Sequence, residues 1–144
     1  MNQNEKEIIN ILRKQKRMNM SNIAKSLNMP ISTVADKMKK IEKKYLLKHS
    51  SILDYSKTGY PIMGICLVKI DSKDREKFLA QAKRQNCVNS IYHTNSEHNF
   101  MVEIICKNHW ELTDWIELMK LNYSSEILHF QVTNIEEKEK FLLE

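Results

Sequence analysis

The apolar positions divide the chain into a helical half and an alternating half. Ile8, Ile11 and Leu12 recur at i, i+3 and i+4, with Ile9 widening the stripe. Asn4 and Glu7 have the spacing of a capping box, so the pattern predicts a helix ending near Gln15. In SNIAKSLN, Ile23, Ala24 and Leu27 share a face. This predicts a second helix capped by Ser21 and halted at Met29-Pro30, where proline turns the preceding residue away from helix. STVADKMKKIEKK then places Val34, Met38 and Ile41 on one side and leaves Ser32, Thr33, Asp36, Lys37, Lys40, Lys43 and Lys44 largely exposed. Two short helices around a tight corner, the second studded with lysine, have the layout of a helix-turn-helix. LLKHSSIL, Leu46 to Leu53, reads as an extended ribbon with Lys48 and His49 near its start, the position of a wing. Residues 1–53 are thus expected to form a winged helix-turn-helix, and the turn formers of 54–61 a linker.

Beyond Pro61 the period alternates, turns helical and alternates again, twice. Strands are expected at Ile62–Ile70, Val88–Thr94, Phe100–Cys106 and Ile127–Ile135. One helix follows Ser72 as its cap, with Phe78, Leu79 and Ala82 inward. The other follows Asn108, with Leu112, Trp115, Ile116 and Met119 as its stripe. The order βαββαβ is that of a ferredoxin-like fold, so residues 62–144 are expected to form an α+β domain of that type. The first and third strands do not alternate cleanly: Met63, Ile65 and Leu67 are apolar beside Cys66, Val68 and Ile70, and Met101 and Ile105 beside Val102 and Ile104. Helices cover only one face of such a sheet, so a second copy of the chain is the economical cover for the other.

Charge separates the halves further. Residues 1–61 hold 13 Lys and Arg against 5 Asp and Glu, a net +8, whereas residues 62–144 hold 10 against 13, a net −3. The basic excess therefore lies with the helix-turn-helix pattern, and a polyphosphate partner is the natural inference.

Other chemistry finds little support. The three cysteines, Cys66, Cys87 and Cys106, are widely spaced without a CxxC, and none of the five histidines forms an HxxxH pair. With only Gly59 and Gly64, the chain has no phosphate-cradling glycine loop. No nucleophile and base motif appears. The expectation is no catalytic residue, no metal and no cofactor. No apolar run is long enough to span a bilayer and the N-terminus lacks a signal-type apolar core, so a cytoplasmic protein is expected, with no membrane partner.

The basic helix-turn-helix, the Gly-Tyr-Pro junction and the βαββαβ half together resemble the Lrp/AsnC family of feast/famine transcriptional regulators. The most specific matches are TVADKMKKIEKKYLLKHSSILDYSKTGYP and NSEHNFMVEI, which look like the family's recognition helix, wing and hinge, and its loop and third strand. The resemblance implies a homodimer, often assembled into tetramers or octamers, that binds double-stranded promoter DNA and can take amino acids at subunit interfaces. It departs from the family pattern at Tyr45, where glycine usually follows the recognition helix, and at Ser96 and Asn99, where glycine and aspartate are usual. The last two changes speak against the usual amino-acid effector.

On this reading Ser32, Thr33, Asp36 and Lys37 face base edges, while Ser21, Lys40, Lys43, Lys44 and Lys48 are placed for phosphates. Arginine is absent from residues 18–74, which favours an A·T-rich site read partly through shape. Ser96, Glu97, His98 and Asn99 form the candidate effector or oligomer loop. The alternative is a sirohaem decarboxylase-like enzyme, which shares this two-domain plan and uses histidine and basic residues.

Overall fold

The structure is a computed structural model that describes residues 2–14, 19–46, 52–136, 138 and 141–143. The chain forms two compact units. One comprises residues 1–51 and 136–144, the other 52–135.

In the first unit, α1 (Gln3–Lys14), α2 (Met20–Ser26) and α3 (Ile31–Lys44) enclose a core of Ile8, Ile9, Ile23, Ala24, Val34, Met38 and Ile41. The capping of α1 differs from expectation. The Glu5 backbone N–H donates to Asn2 Oδ1 (2.9 Å) and the Asn2 N–H to Glu5 Oε2 (3.0 Å). The sequence contains the Asn-x-x-Glu spacing twice, and the earlier copy caps because it lengthens the helix. Helix α2 is capped by Asn19, whose Oδ1 accepts from the Asn22 N–H at 2.9 Å, so Ser21 lies inside the first turn instead of at the cap. It stops before proline acts: Asn28 is left-handed (φ 50°), and the Met29 and Asn28 N–H groups bond back to the carbonyls of Ala24 and Lys25. That is a Schellman closure, with Pro30 following it as the cap residue of α3.

At the end of α3, Tyr45 has φ −121°, outside the left-handed region, so the position makes no demand for glycine. Of the expected wing, Leu46, Ile52 and Leu53 are described and none is in a strand; residues 47–51, including Lys48 and His49, lie outside the described residues. The C-terminal tail, read from its sequence as an appendage of the second half, groups with this unit. Asn10 on α1 donates to the Leu143 carbonyl at 2.8 Å and accepts from its N–H at 2.9 Å, and Arg13 Nε donates to the Phe141 carbonyl.

The second unit opens with a 3-10 turn at Tyr55–Thr58, closed by Gly59 at φ 85°, a conformation that suits glycine because it carries no Cβ. The segment expected to be a plain linker is thus a folded corner, and Tyr55 Oη donates to Asn89 Oδ1. There follow β1 (Ile62–Lys69), α4 (Arg75–Arg84), β2 (Val88–His93), β3 (Phe100–Cys106), α5 (His109–Tyr123) and β4 (Glu126–Val132). The sheet order is β2-β3-β1-β4 with every neighbouring pair antiparallel, the ferredoxin-like arrangement.

Ser72 is not a helix cap: it begins a 3-10 turn, Ser72–Asp74, after which α4 starts. Asn108 caps α5 as expected, accepting from the Glu111 N–H at 3.0 Å. Strand β4 ends at Val132, three residues early. A bulge in β2 between Val88 and Ser90 frees the Asn89 side chain, which donates to the buried Glu103 carboxylate at 2.8 Å.

Helices α4 and α5 cover one face of the sheet. Phe78, Ala82, Leu112, Trp115, Ile116 and Met119 pack on Cys66, Val68, Phe100, Val102 and Ile104. Gly64 allows the close approach: a Cβ there would lie 2.8 Å from Leu112 Cδ1. Burial pushes the Cys66 thiol up to about 12, assisted by the neighbouring cysteines, and the Cys106 thiol up to about 11. Both stay protonated at neutral pH and behave as small apolar core residues.

The other face is open. Register pairs Met63 with Ile105 and Val132, Ile65 with Glu103 and Phe130, and Leu67 with Met101 and Leu128. Tyr92 lies beside Met101 on β2. Leu128 and Phe130 are 52% and 57% exposed, too much apolar surface for a face meant to meet water alone.

Candidate nucleic-acid interface

Helix α3 is held by its inner stripe of Val34, Met38 and Ile41 and turns the opposite side out. Ser32, Asp36, Lys39, Lys40, Lys43 and Lys44 are exposed. Thr33 and Lys37 are half-buried on the flank, and Ser21 is half-buried in the first turn of α2. The helix therefore brings most of the sequence-selected residues onto one polar and basic surface. Two of its lysines also have structural roles: Lys43 and Lys44 sit in the last turn, where positive charge complements the helix dipole. Lys44 Nζ additionally lies 5.2 Å from the centre of the Tyr45 ring. Lys48 lies outside the described residues.

Lys39 and Ile31, both exposed on α3, escaped the sequence reading. Ile31, the first residue of α3, is 54% exposed. The available signal was its place at the leading end of the basic helix.

In the second unit Ser96, Glu97, His98 and Asn99 are brought together in the turn between β2 and β3. The turn satisfies itself. Ser96 Oγ donates to the His98 carbonyl at 2.8 Å, and Thr94 Oγ1 donates to the same oxygen. Lys69 Nζ donates to Glu97 Oε1 at 2.6 Å and lies 3.6 Å from Glu126. The hydrogen bond from Lys69 holds the Glu97 carboxyl below its ordinary range, and the same bond raises the Lys69 ammonium. Asn99 has a role the sequence did not disclose: its Oδ1 accepts from the Ile70 N–H at 3.0 Å while its Nδ2 donates to the Ile70 carbonyl at 2.7 Å. The amide thus fastens the turn to the end of β1.

Among the described residues no group of three or more His, Cys, Asp or Glu could hold a metal ion, and no helix is long and apolar enough to cross a membrane. Comparison with known proteins places this geometry in context. Residues 1–44 match a family described as winged helix-turn-helix DNA-binding. An uncharacterized HTH-type transcriptional regulator of Pyrococcus abyssi is 29% identical over 117 residues, 78% of each chain. The structure of LrpC from B. subtilis superposes with a TM-score of 0.86 at 17% identity, covering 95% of this chain and 97% of that one. The leucine response regulatory protein LrpA of Mycobacterium tuberculosis superposes at 0.84 with 12% identity, covering 98% of each. The chain shares its fold with these Lrp-type structures and carries a winged helix-turn-helix of the DNA-binding family over residues 1–44.

Within the Lrp/AsnC pattern the aspartate usual at position 99 is replaced by asparagine, and the two Ile70 bonds give a physical reason. Aspartate keeps the acceptor but sets a carboxylate against the Ile70 carbonyl, losing one bond and adding repulsion. Asn99→Asp is therefore expected to destabilise the fold by about 1–3 kcal/mol, measured by urea unfolding of the two proteins at pH 7. Equal midpoints would show that the amide is not needed there.

Proposed function

We propose that the chain regulates transcription by binding specific sites in double-stranded DNA as a homodimer. The observation that carries this reading is α3, a helix whose inner stripe is consumed by the core and whose outer side offers exposed lysines and short polar side chains. Such a helix fits the major groove with its N-terminal residues toward base edges. Ser32, Thr33, Asp36 and Lys37 are read as base-facing, and Ser21, Lys40, Lys43, Lys44 and Lys48 as phosphate-facing. The named relatives are transcriptional regulators, which favours this reading over a sirohaem decarboxylase-like enzyme. Selection of bound duplexes from a random pool tests it: enrichment of a two-fold symmetric, A·T-rich site supports it, and failure to enrich any duplex overturns it.

The open face of the sheet is the proposed dimer contact, because its apolar residues have no cover within the unit. The turn 95–99 is proposed to be a weak amino-acid site at best. An amino acid's ammonium needs a carboxylate, and Glu97, the turn's one acid, is already paired with Lys69. The Asn99 amide is likewise spent on Ile70. Calorimetric titration with the twenty amino acids should show no heat of binding below millimolar concentration; one tight binder would refute this. Contacts through Glu97 and His98 remain the proposal for assembly beyond the dimer, into tetramers or octamers.

A further inference from the structure

We infer that Ile31 reads the methyl group of a thymine in the DNA site. This rests on the DNA-binding reading above and assigns a role to a side chain that reading leaves unused.

Ile31 is the first residue of α3, three before the buried Val34 and seven before the buried Met38, so the helix repeat sets it in line with the buried stripe, at the leading end of the helix, where it is nevertheless exposed. It borders an open groove shared with Ser21 and Lys25 of α2 and with Pro30. The core does not need it, since Ile23, Val34, Met38 and Ile41 fill the interior while Ile31 stays 54% exposed. It is the one large apolar side chain that α3 leaves exposed, at the end of the helix that leads into the groove. Its exposed neighbours along α3 are polar or charged: Ser32, Asp36, Lys39 and Lys40.

The chemistry of the major groove narrows what such a group can meet. Base edges there present hydrogen-bond donors and acceptors, and among the four unmodified bases the only apolar group is the C5 methyl of thymine. A branched aliphatic side chain has no donor or acceptor with which to discriminate other bases. Against cytosine, guanine or adenine it would bury apolar surface over unsatisfied polar edges. The absence of arginine from residues 18–74, which removes the commonest reader of guanine, is consistent with a site whose specificity is carried partly by thymine.

Uracil differs from thymine at this edge only by that methyl, so it isolates the contact. The duplex obtained by selection is synthesised with uracil replacing each thymine in turn, and binding of the full chain is followed by fluorescence anisotropy. At one thymine position per half-site, uracil is expected to weaken binding about fourfold, and about fifteenfold when both half-sites are changed. Ile31→Ala should weaken binding of the thymine duplex and be indifferent to uracil at that position, while retaining sensitivity to salt. Ile31→Val, which keeps a branched apolar tip, should keep most of the discrimination. Because Ile31 is exposed, circular dichroism of the variants should match the unaltered chain. Thymine and uracil duplexes bound alike by the unaltered chain, or discrimination that survives in Ile31→Ala, would overturn the assignment while leaving DNA binding intact. Failure of the unaltered chain to bind any duplex would overturn both.

Discussion

Raising the salt concentration from 50 to 200 mM is expected to weaken binding of the selected duplex by about 10³- to 10⁵-fold. The exposed Lys40, Lys43 and Lys44 of α3, with Lys25 of α2, give roughly four phosphate contacts per protomer and about twice that for a dimer on two half-sites. Each neutralised phosphate releases condensed counterions, so log K falls by about 0.9 per phosphate for every tenfold rise in salt. A titration at five or six salt concentrations measures the slope directly. Lys43→Ala should reduce it by about 0.9 for each protomer and weaken all sequences alike. Lys37→Ala, on the half-buried flank, should instead relax base preference and change the slope less. Lys43 also complements the dipole of α3, and a purely structural role predicts lower thermal stability with an unchanged slope. Affinity that stays flat across this range would remove the electrostatic basis of the interface.

Placing a charge on the open sheet face is expected to convert the proposed dimer to a monomer. Leu128 and Phe130 are the best positions, because both are more than half exposed and neither belongs to the core beneath the helices. Phe130→Glu would set a new carboxylate in the middle of the apolar face, across β1 from the buried Glu103. Burying it between two copies would cost several kcal/mol by desolvation, more than a dimer contact of ordinary strength can offset. Light scattering should show the unaltered chain at no less than twice its monomer mass of 17.1 kDa and Phe130→Glu at the monomer mass. DNA affinity should fall about 10²- to 10⁴-fold, since two recognition helices about 34 Å apart no longer act as one ligand. Leu121→Glu, on the exposed side of α5, introduces the same charge outside the sheet and should leave the dimer intact. The substitution Ile105→Glu is less informative: that residue, although its register places it on the open face, is only 8% exposed, and a charge there threatens folding itself. A stable monomer of the unaltered chain at micromolar concentration would sink the dimer.

Much of this protein follows from local pattern. The i, i+4, i+7 spacing of Val34, Met38 and Ile41 determines which side of α3 is buried and so which lysines face out, because a helix repeat and a hydrophobic core admit one solution. The order of periods after Pro61 likewise determines a βαββαβ chain, and strands apolar on both sides mark a sheet with a face still to be covered. What sequence leaves undecided is any choice between equivalent local partners. Two Asn-x-x-Glu spacings begin the chain, and only the folded helix shows that Asn2 and Glu5 close the box. Asn19 outcompetes Ser21 as a cap, and Asn28 ends α2 before Pro30 can, by a left-handed conformation that asparagine adopts more readily than most residues. Contacts between distant residues are decided by tertiary structure alone. Asn99 on Ile70, Lys69 on Glu97 and Asn10 on Leu143 join positions whose separation carries no period, so only the packing of strands and helices brings them within hydrogen-bond reach. The exposure of Ile31 belongs to the same class: residue type argues for burial, and it is the completed core beside it that leaves the side chain outside.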